Sequence, residues 1–239
     1  MQNLADKTVA EIVTENIKTA DVFKKNGIDF CCGGNVNVAK ACERKGLDVD
    51  QIVSELNDSL AEKGAVHDYN SWELDFLIDY IMNTHHAYVR GNAELMLQYT
   101  QRVATVHGVN HPEVVRINQL AYALVEELGP HLLKEENILF PYVKQLLNAK
   151  RNNTPVPPPG FGTVQNPIHV MHNEHDGAGD IIKEIAELSN NFTPPADACN
   201  TYKAMYAKLE EFQNDLFQHI HLENNVLFPK AIELENSLL

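Results

Sequence analysis

Two stretches of this chain are near copies of each other: "HLLKEENILFP" at 131–141 and "HIHLENNVLFP" at 219–229, offset by 88 residues. They share the histidine, the glutamate, an asparagine and the closing Leu-Phe-Pro. Each lies on a run of apolar residues spaced by three or four. One stripe reads Ile117, Ala121, Leu124, Leu128, His131, Glu135, Ile138, Tyr142, and the other Tyr202, Met205, Leu209, Phe212, Leu216, His219, Glu223, Val226. That period belongs to an amphipathic helix, and in both copies it turns a histidine and a glutamate, one turn apart, towards the core. A buried carboxylate without a partner destabilises by several kcal/mol. A chain that does this twice, at matching places, is constrained to fold around something cationic.

Four apolar-periodic segments, at roughly 72–104, 112–149, 166–190 and 197–235, are separated by the breaker-rich stretches "HGVNHP", "KRNNTPVPPPGFGTVQNP" and "NNFTPPAD". Pro112, Pro167 and Pro195 are read as helix starts, and Ser71 as the N-cap of the first long helix. The expectation is an all-α fold with an antiparallel four-helix bundle at 72–239, a linker at 63–71 and a small helical domain at 1–62. In the third helix the stripe Ile168, Met171/His172, His175, Ala178/Gly179, Ile182, Ile185 centres on His175. In the first, Ile78/Met82, His86, Val89, Ala93, Met96 points His86 inward, but His85 fits Ile78, Ile81 and Tyr88 nearly as well, and the period leaves the two open. The sum is four histidines and two glutamates. Two metals, each with two imidazoles and spanned by two carboxylates, satisfy that set, and imidazole with carboxylate but no thiolate suits iron or manganese ahead of zinc.

Composition removes other classes. Asp and Glu number 33 against 19 Lys and Arg, a formal charge of −14, which disfavours nucleic acid and anionic membrane surfaces as partners. The opening "MQNLADKTVAEIVTENIKTA" has no charged-then-apolar leader, and no apolar run approaches the roughly 20 residues of a spanning helix, so the expected compartment is the cytoplasm. Four cysteines, Cys31, Cys32, Cys42 and Cys199, fit free thiols rather than a disulfide framework. Cys42 and Cys199 are read as core or spectator residues within helices. Cys31 and Cys32 stand before Gly33-Gly34 and a helix capped by Asn35 or Asn37. A helix N-terminus lowers a thiol pKa, so the pair is expected to be partly thiolate and accessible, able to pass on iron or NO or to exchange disulfides.

These residues together carry a family resemblance. The two repeats resemble the metal-binding helices of hemerythrin-like domains, and "DFCCGG" followed by "LDVDQIVSEL" resembles the small domain joined to such a bundle in the iron-sulfur cluster repair di-iron proteins. The resemblance spans essentially the whole chain. It implies a non-haem di-iron centre with an oxo bridge, held by His86, His131, Glu135, His175, His219 and Glu223. It also selects His86 over His85, since the family's Tyr-His-x-x-His-Arg reads here as "HHAYVR", with Arg90 as its arginine. Glu127 and Glu174 match acidic positions near the family's centre. Three departures stand out: Val89 replaces the motif's second histidine, His172 stands where an acid is usual, which makes it an extra ligand or an outer partner of the centre, and the second inter-helix stretch, "KRNNTPVPPPGFG", is long.

The implied role is restoring iron-sulfur clusters damaged by nitrosative or oxidative stress, with the damaged proteins as partners and the bundle as an iron supply. Cys31-Cys32 would be the mobile contact with the target. Alternatives are a turnover enzyme reducing NO and a module that binds or senses NO or O2. Pairing of two chains through their N-terminal domains stays open.

Overall fold

In a computed structural model, the described residues are 3–61 and 68–238; most of the expected linker, 63–67, lies outside them. The N-terminal unit comprises α1 (Val9–Glu15), α2 (Thr19–Lys25), α3 (Val38–Lys45) and α4 (Val49–Ala61). Thr8 starts α1 with a reciprocal cap: its hydroxyl accepts from the Glu11 amide at 3.1 Å while Glu11 accepts from the Thr8 amide at 2.7 Å. Asn37 caps α3, accepting from the Lys40 amide at 2.8 Å. Between α2 and α3 the Cys31-Cys32 loop folds back on α1, and there Gly34 is required: a Cβ would lie 2.6 Å from the Phe30 carbonyl oxygen.

Four long antiparallel helices follow. The first joins α5 (Leu74–Ile81) to α6 (Ala87–His107) through a π-helical turn, Met82–His86. The second joins α7 (Glu113–Lys134) to α8 (Phe140–Asn152) through the π turn Glu135–Leu139, and the third is α9 (Gln165–Leu188). The fourth joins α10 (Asn200–Leu222) to α11 (Phe228–Asn236) through the π turn Glu223–Leu227. Packing runs α6 on α7, α7 on α9, α9 on α10 and α10 back on α6, a closed ring of four. Pro141 and Pro229, in the first turns of α8 and α11, lack the N–H of a regular helix and crowd the carbonyl four residues back, which favours the wider turn just before each.

Some boundaries differ from expectation. Ser71 closes a 3-10 turn, Tyr69–Ser71, and the long helix begins at Leu74 with Glu73 at its cap. Pro195 opens a turn by accepting from the Ala198 amide at 3.0 Å, so the cap of α10 falls at Cys199, which is exposed rather than within the helix. The stripe through α7 also breaks after Glu135. Ile138 is 46% exposed and Leu139 1%, because the π turn adds a residue and rotates everything beyond it.

Each long helix crosses from one apolar cluster to another. Val89, Leu132, Ala178 and Ile220 belong to one, shared with the N-terminal unit, and Ile81, Leu139, Met171 and Val226 to the other. At the crossing on every helix stands a histidine, a glutamate, or both.

Candidate metal centre

His86, His131, Glu135, His175, His219 and Glu223 converge in that layer, and all six are buried, the two glutamates at 0% exposure. They form two overlapping groups whose ligand atoms lie within 4.8 Å of one another: His86, Glu135, His219 and Glu223, and His131, Glu135, His175 and Glu223. Both carboxylates are common to the two groups. Glu135 Oε2 is 3.4 Å from Nε2 of both His86 and His131. Glu223 points one oxygen at each group, Oε1 3.2 Å from His219 Nε2 and Oε2 3.2 Å from His175 Nε2. Ligands bound at about 2.1 Å sit roughly 3 to 3.4 Å apart around one metal, so this spacing suits cations shared across the carboxylates.

The hydrogen bonds around the layer decide what it can accept. His86 Nδ1 lies 2.7 Å from Glu136 Oε1, His131 Nδ1 2.9 Å from Glu174 Oε2, and His175 Nδ1 2.8 Å from Asn224 Oδ1. All three partners are acceptors, so each ring donates outward through Nδ1 and turns the Nε2 lone pair inward. Inside, Nε2 of His86 and His219 and all four oxygens of Glu135 and Glu223 are buried without hydrogen-bond partners. Nε2 of His131 and His175 face each other at 3.1 Å. Lone pairs aimed at one another with no proton donor between them fit cations and little else.

The electrostatics agree. Burial together with the neighbouring charge of Glu223 pushes the Glu135 carboxyl up, while burial of Glu223 is outweighed by His219, His175 and His86, which hold it well down. Burial disfavours the charged form of His86 and His175, yet the carboxylates carry them up to about 10 and about 9. His219, desolvated and beside two other histidines, is pushed down to about 3. Without a cation the layer gathers protons; a divalent ion displaces them.

Other residues named from the sequence take different places. His85 is buried, but it pairs with Asp215 at 2.9 Å and stacks on His219 with ring centroids 5.6 Å apart, outside both groups. His172 packs edge-on against Phe228 at 5.5 Å, and burial and the nearby His175 lower its pKa; it too lies outside both groups. Glu174 holds His131 and pairs with Lys134, whereas Glu127 is exposed. Glu136 and Asn224 were missed. Glu136 is pinned by Arg90 at 2.7 Å. The two stand 88 residues apart, each directly after a repeat glutamate, which was the available signal.

Cys31 departs from expectation. The α3 cap is Asn37, one of the two positions expected. Cys31 is 2% exposed, and hydrogen bonding to Cys32, burial and Asp29 push its thiol well up rather than down. The loop is docked on the bundle. Asp29 Oδ1 accepts from the amides of Cys31 and Cys32, both at 3.0 Å, and Lys183 on α9 holds Asp29 Oδ2 at 2.7 Å. Cys32 Sγ rests over Gly179, 3.6 Å from where a Cβ would stand and one turn beyond His175. Asn225 donates to the Phe30 and Cys31 carbonyls at 3.3 and 3.2 Å. Cys42 is buried in α3, and Cys199 lies 3.2 Å from His107 at the far end of the bundle.

Among the described residues no helix is long and apolar enough to cross a membrane. Residues 77–231 match the hemerythrin HHE cation binding domain, and residues 5–60 match ScdA_N, a family described as a domain of unknown function. The chain is 40% identical over 229 residues to proteins named iron-sulfur cluster repair protein YtfE from Escherichia coli O1:K1 and from Escherichia fergusonii, covering 95% of this chain and 97% of each relative. A third so named, from Escherichia coli O81, is 39% identical over the same span.

Proposed function

Because this chain belongs to the iron-sulfur cluster repair family, which joins an ScdA_N domain to a hemerythrin HHE cation-binding domain, we propose that it holds two irons and supplies iron to clusters damaged by nitrosative or oxidative stress. The observation that carries this reading is the buried layer in which four imidazoles and two carboxylates turn unpartnered lone pairs towards one another. His86 and His219 would hold one iron, His131 and His175 the other, and Glu135 and Glu223 would span both. When bound, a non-haem di-iron pair with an oxo bridge would supply redox chemistry and an exchangeable iron.

The chain's own residues set the terms of that hold. Glu136 and Glu174 fix two rings, and Arg90 and Lys134 neutralise those outer carboxylates from the solvent side. Glu135 and Glu223 belong to both groups, so each would remain a ligand of one cation if the other left. The damaged iron-sulfur proteins are the partners of this reading, the cytoplasm its compartment, and a pair of chains joined through the N-terminal domains a form compatible with it.

Ferrous-loaded protein mixed with an apo iron-sulfur protein and sulfide should restore the cluster faster than the same concentration of free ferrous ion. Equal rates would sink the supply role. A second reading rests on the ligand count: two imidazoles and two shared carboxylates per metal leave coordination positions free for NO or O2. Two ferrous ions, two NO and two protons balance to N2O, water and two ferric ions, so stoichiometric N2O in a single turnover would establish that activity. Reversible NO binding without N2O would count against it.

A further inference from the structure

The repeat register pairs Glu136 with Asn224, and both do one job: each accepts a hydrogen bond from Nδ1 of a histidine on a neighbouring helix, His86 at 2.7 Å and His175 at 2.8 Å. They differ in what they can do besides. A carboxylate only accepts, and Glu136 spends its second oxygen on Arg90. An amide also donates, and Asn224 Nδ2 gives its hydrogen to the Cys31 carbonyl at 3.3 Å. A single side chain therefore connects the Cys31-Cys32 loop to a ring of the metal layer. The amide orientation is fixed from both ends, because Oδ1 must face the ring N–H and Nδ2 the carbonyl.

We propose that Asn224 is a positioning residue that couples docking of the Cys31-Cys32 loop to the hold on the metal at His131, Glu135, His175 and Glu223. While the loop is docked, the Cys31 carbonyl keeps the amide facing His175 and the ring aimed inward. When a partner draws the loop away, the amide is free to turn, His175 loses its outer acceptor, and that metal becomes the one released. The other group, whose His86 is held by Glu136 and Arg90 with no contact to the loop, stays loaded. This deepens the iron-supply reading and rests on it.

Besides Asn224, the loop is held by Asn225, by the Asp29–Lys183 pair, and at Phe30 by His221, whose Nδ1 lies 3.4 Å from the Phe30 carbonyl oxygen, and by Phe217, on which the buried Phe30 ring packs edge-on. The double variant Lys183→Ala/Asn225→Ala removes the holds on either side of Cys31 and should loosen the Cys31-Cys32 turn while leaving Asn224 in place. Undocking is read in the metal-free protein as the rate at which a disulfide reagent labels Cys32, expected to rise on the order of 10-fold. Both wild type and variant are then loaded with Fe2+ anaerobically and mixed with excess chelator. The variant should lose one of its two irons on the order of 10-fold faster than wild type, the other at the wild-type rate, in keeping with the 10- to 100-fold effect of removing the outer partner of a metal-bound imidazole.

Adding Asn224→Glu to that background restores an acceptor for His175 that needs no loop, and should return the fast iron to the slow rate while the thiol stays reactive. In wild-type protein, alkylating Cys32 with a maleimide should reproduce the fast phase, which covers the case where a variant fails to fold. Reactive thiols with unchanged iron release in the double variant, unchanged iron release after alkylation of Cys32, or no rescue by Asn224→Glu would each overturn the coupling. None of these outcomes touches the repair reading, which fails instead if the wild-type chain loads no iron.

Discussion

At the scale of single residues, five of the six inward candidates were legible because each interrupts an apolar stripe, and a buried charge on a helix is conspicuous in a linear pattern; His86 was separated from His85 only by the family resemblance. Glu174 was named on that resemblance too, but Glu136 and Asn224 were not, since the rings they hold stand on other helices and no local period joins such distant positions. Replacing Glu135 by Ala removes a carboxylate shared by both groups, so metal content should fall from two ions per chain to one or none, as elemental analysis after anaerobic loading would show. Glu136→Ala leaves all six ligands and should cost about 10- to 100-fold in affinity, read by competition with a chelator of known strength. The thiols divide in the same way. Cys31, buried and pushed well up in pKa by Cys32, burial and Asp29, should remain unlabelled at neutral pH while Cys32 reacts, and peptide mass mapping after brief alkylation would separate the two.

The elements teach a different lesson. A pattern of three and four finds helices but not the places where the winding changes, and three of the four long helices change it at the metal layer. That is why His85 and His86 could not be told apart from the sequence: within a π turn both rings are carried to the buried side. It is also why Ile138, on the expected stripe, faces solvent. Deleting Ile138 should return the turn to regular α-winding and swing Glu135 away from its partners. The expected result is a metal-free fold that keeps its helicity by circular dichroism but binds metal at least 10-fold more weakly. In the N-terminal unit, Gly34→Ala forces a Cβ against the Phe30 carbonyl and the Ala10 amide, 2.6 and 3.2 Å away. A loss of about 1–3 kcal/mol should follow, seen as earlier urea unfolding.

For the whole molecule, the division into a small helical unit and a bundle could be read in the change of pattern near residue 70, but the way the two dock could not. It combines an apolar cluster shared by the two units with the ion pairs Lys183–Asp29 and Lys24–Glu210, a bare Gly179 and the side chains of Asn224 and Asn225, and no local pattern joins those partners. Burial raises the Asp29 carboxyl, but the hydrogen bond and charge of Lys183 outweigh it and hold it below the usual range. The pair therefore contributes to docking above that range, and the contribution is lost as pH falls through the lowered value. Labelling of Cys32 with a pyridyl disulfide, which reacts in acid, should accelerate below about pH 4, and Lys183→Ala should react rapidly already at neutral pH. The layer of ligands between two apolar clusters has a thermal consequence as well. Without metal, the clusters meet across a seam of buried carboxylates and imidazoles whose inner atoms lack hydrogen-bond partners, so each half of the bundle is expected to melt on its own. Cations would stitch the seam into one cooperative unit. Scanning calorimetry should then trace two overlapping transitions for the stripped protein and a single sharper one for the loaded form, so that the metal sets the number of thermodynamic domains along with the chemistry.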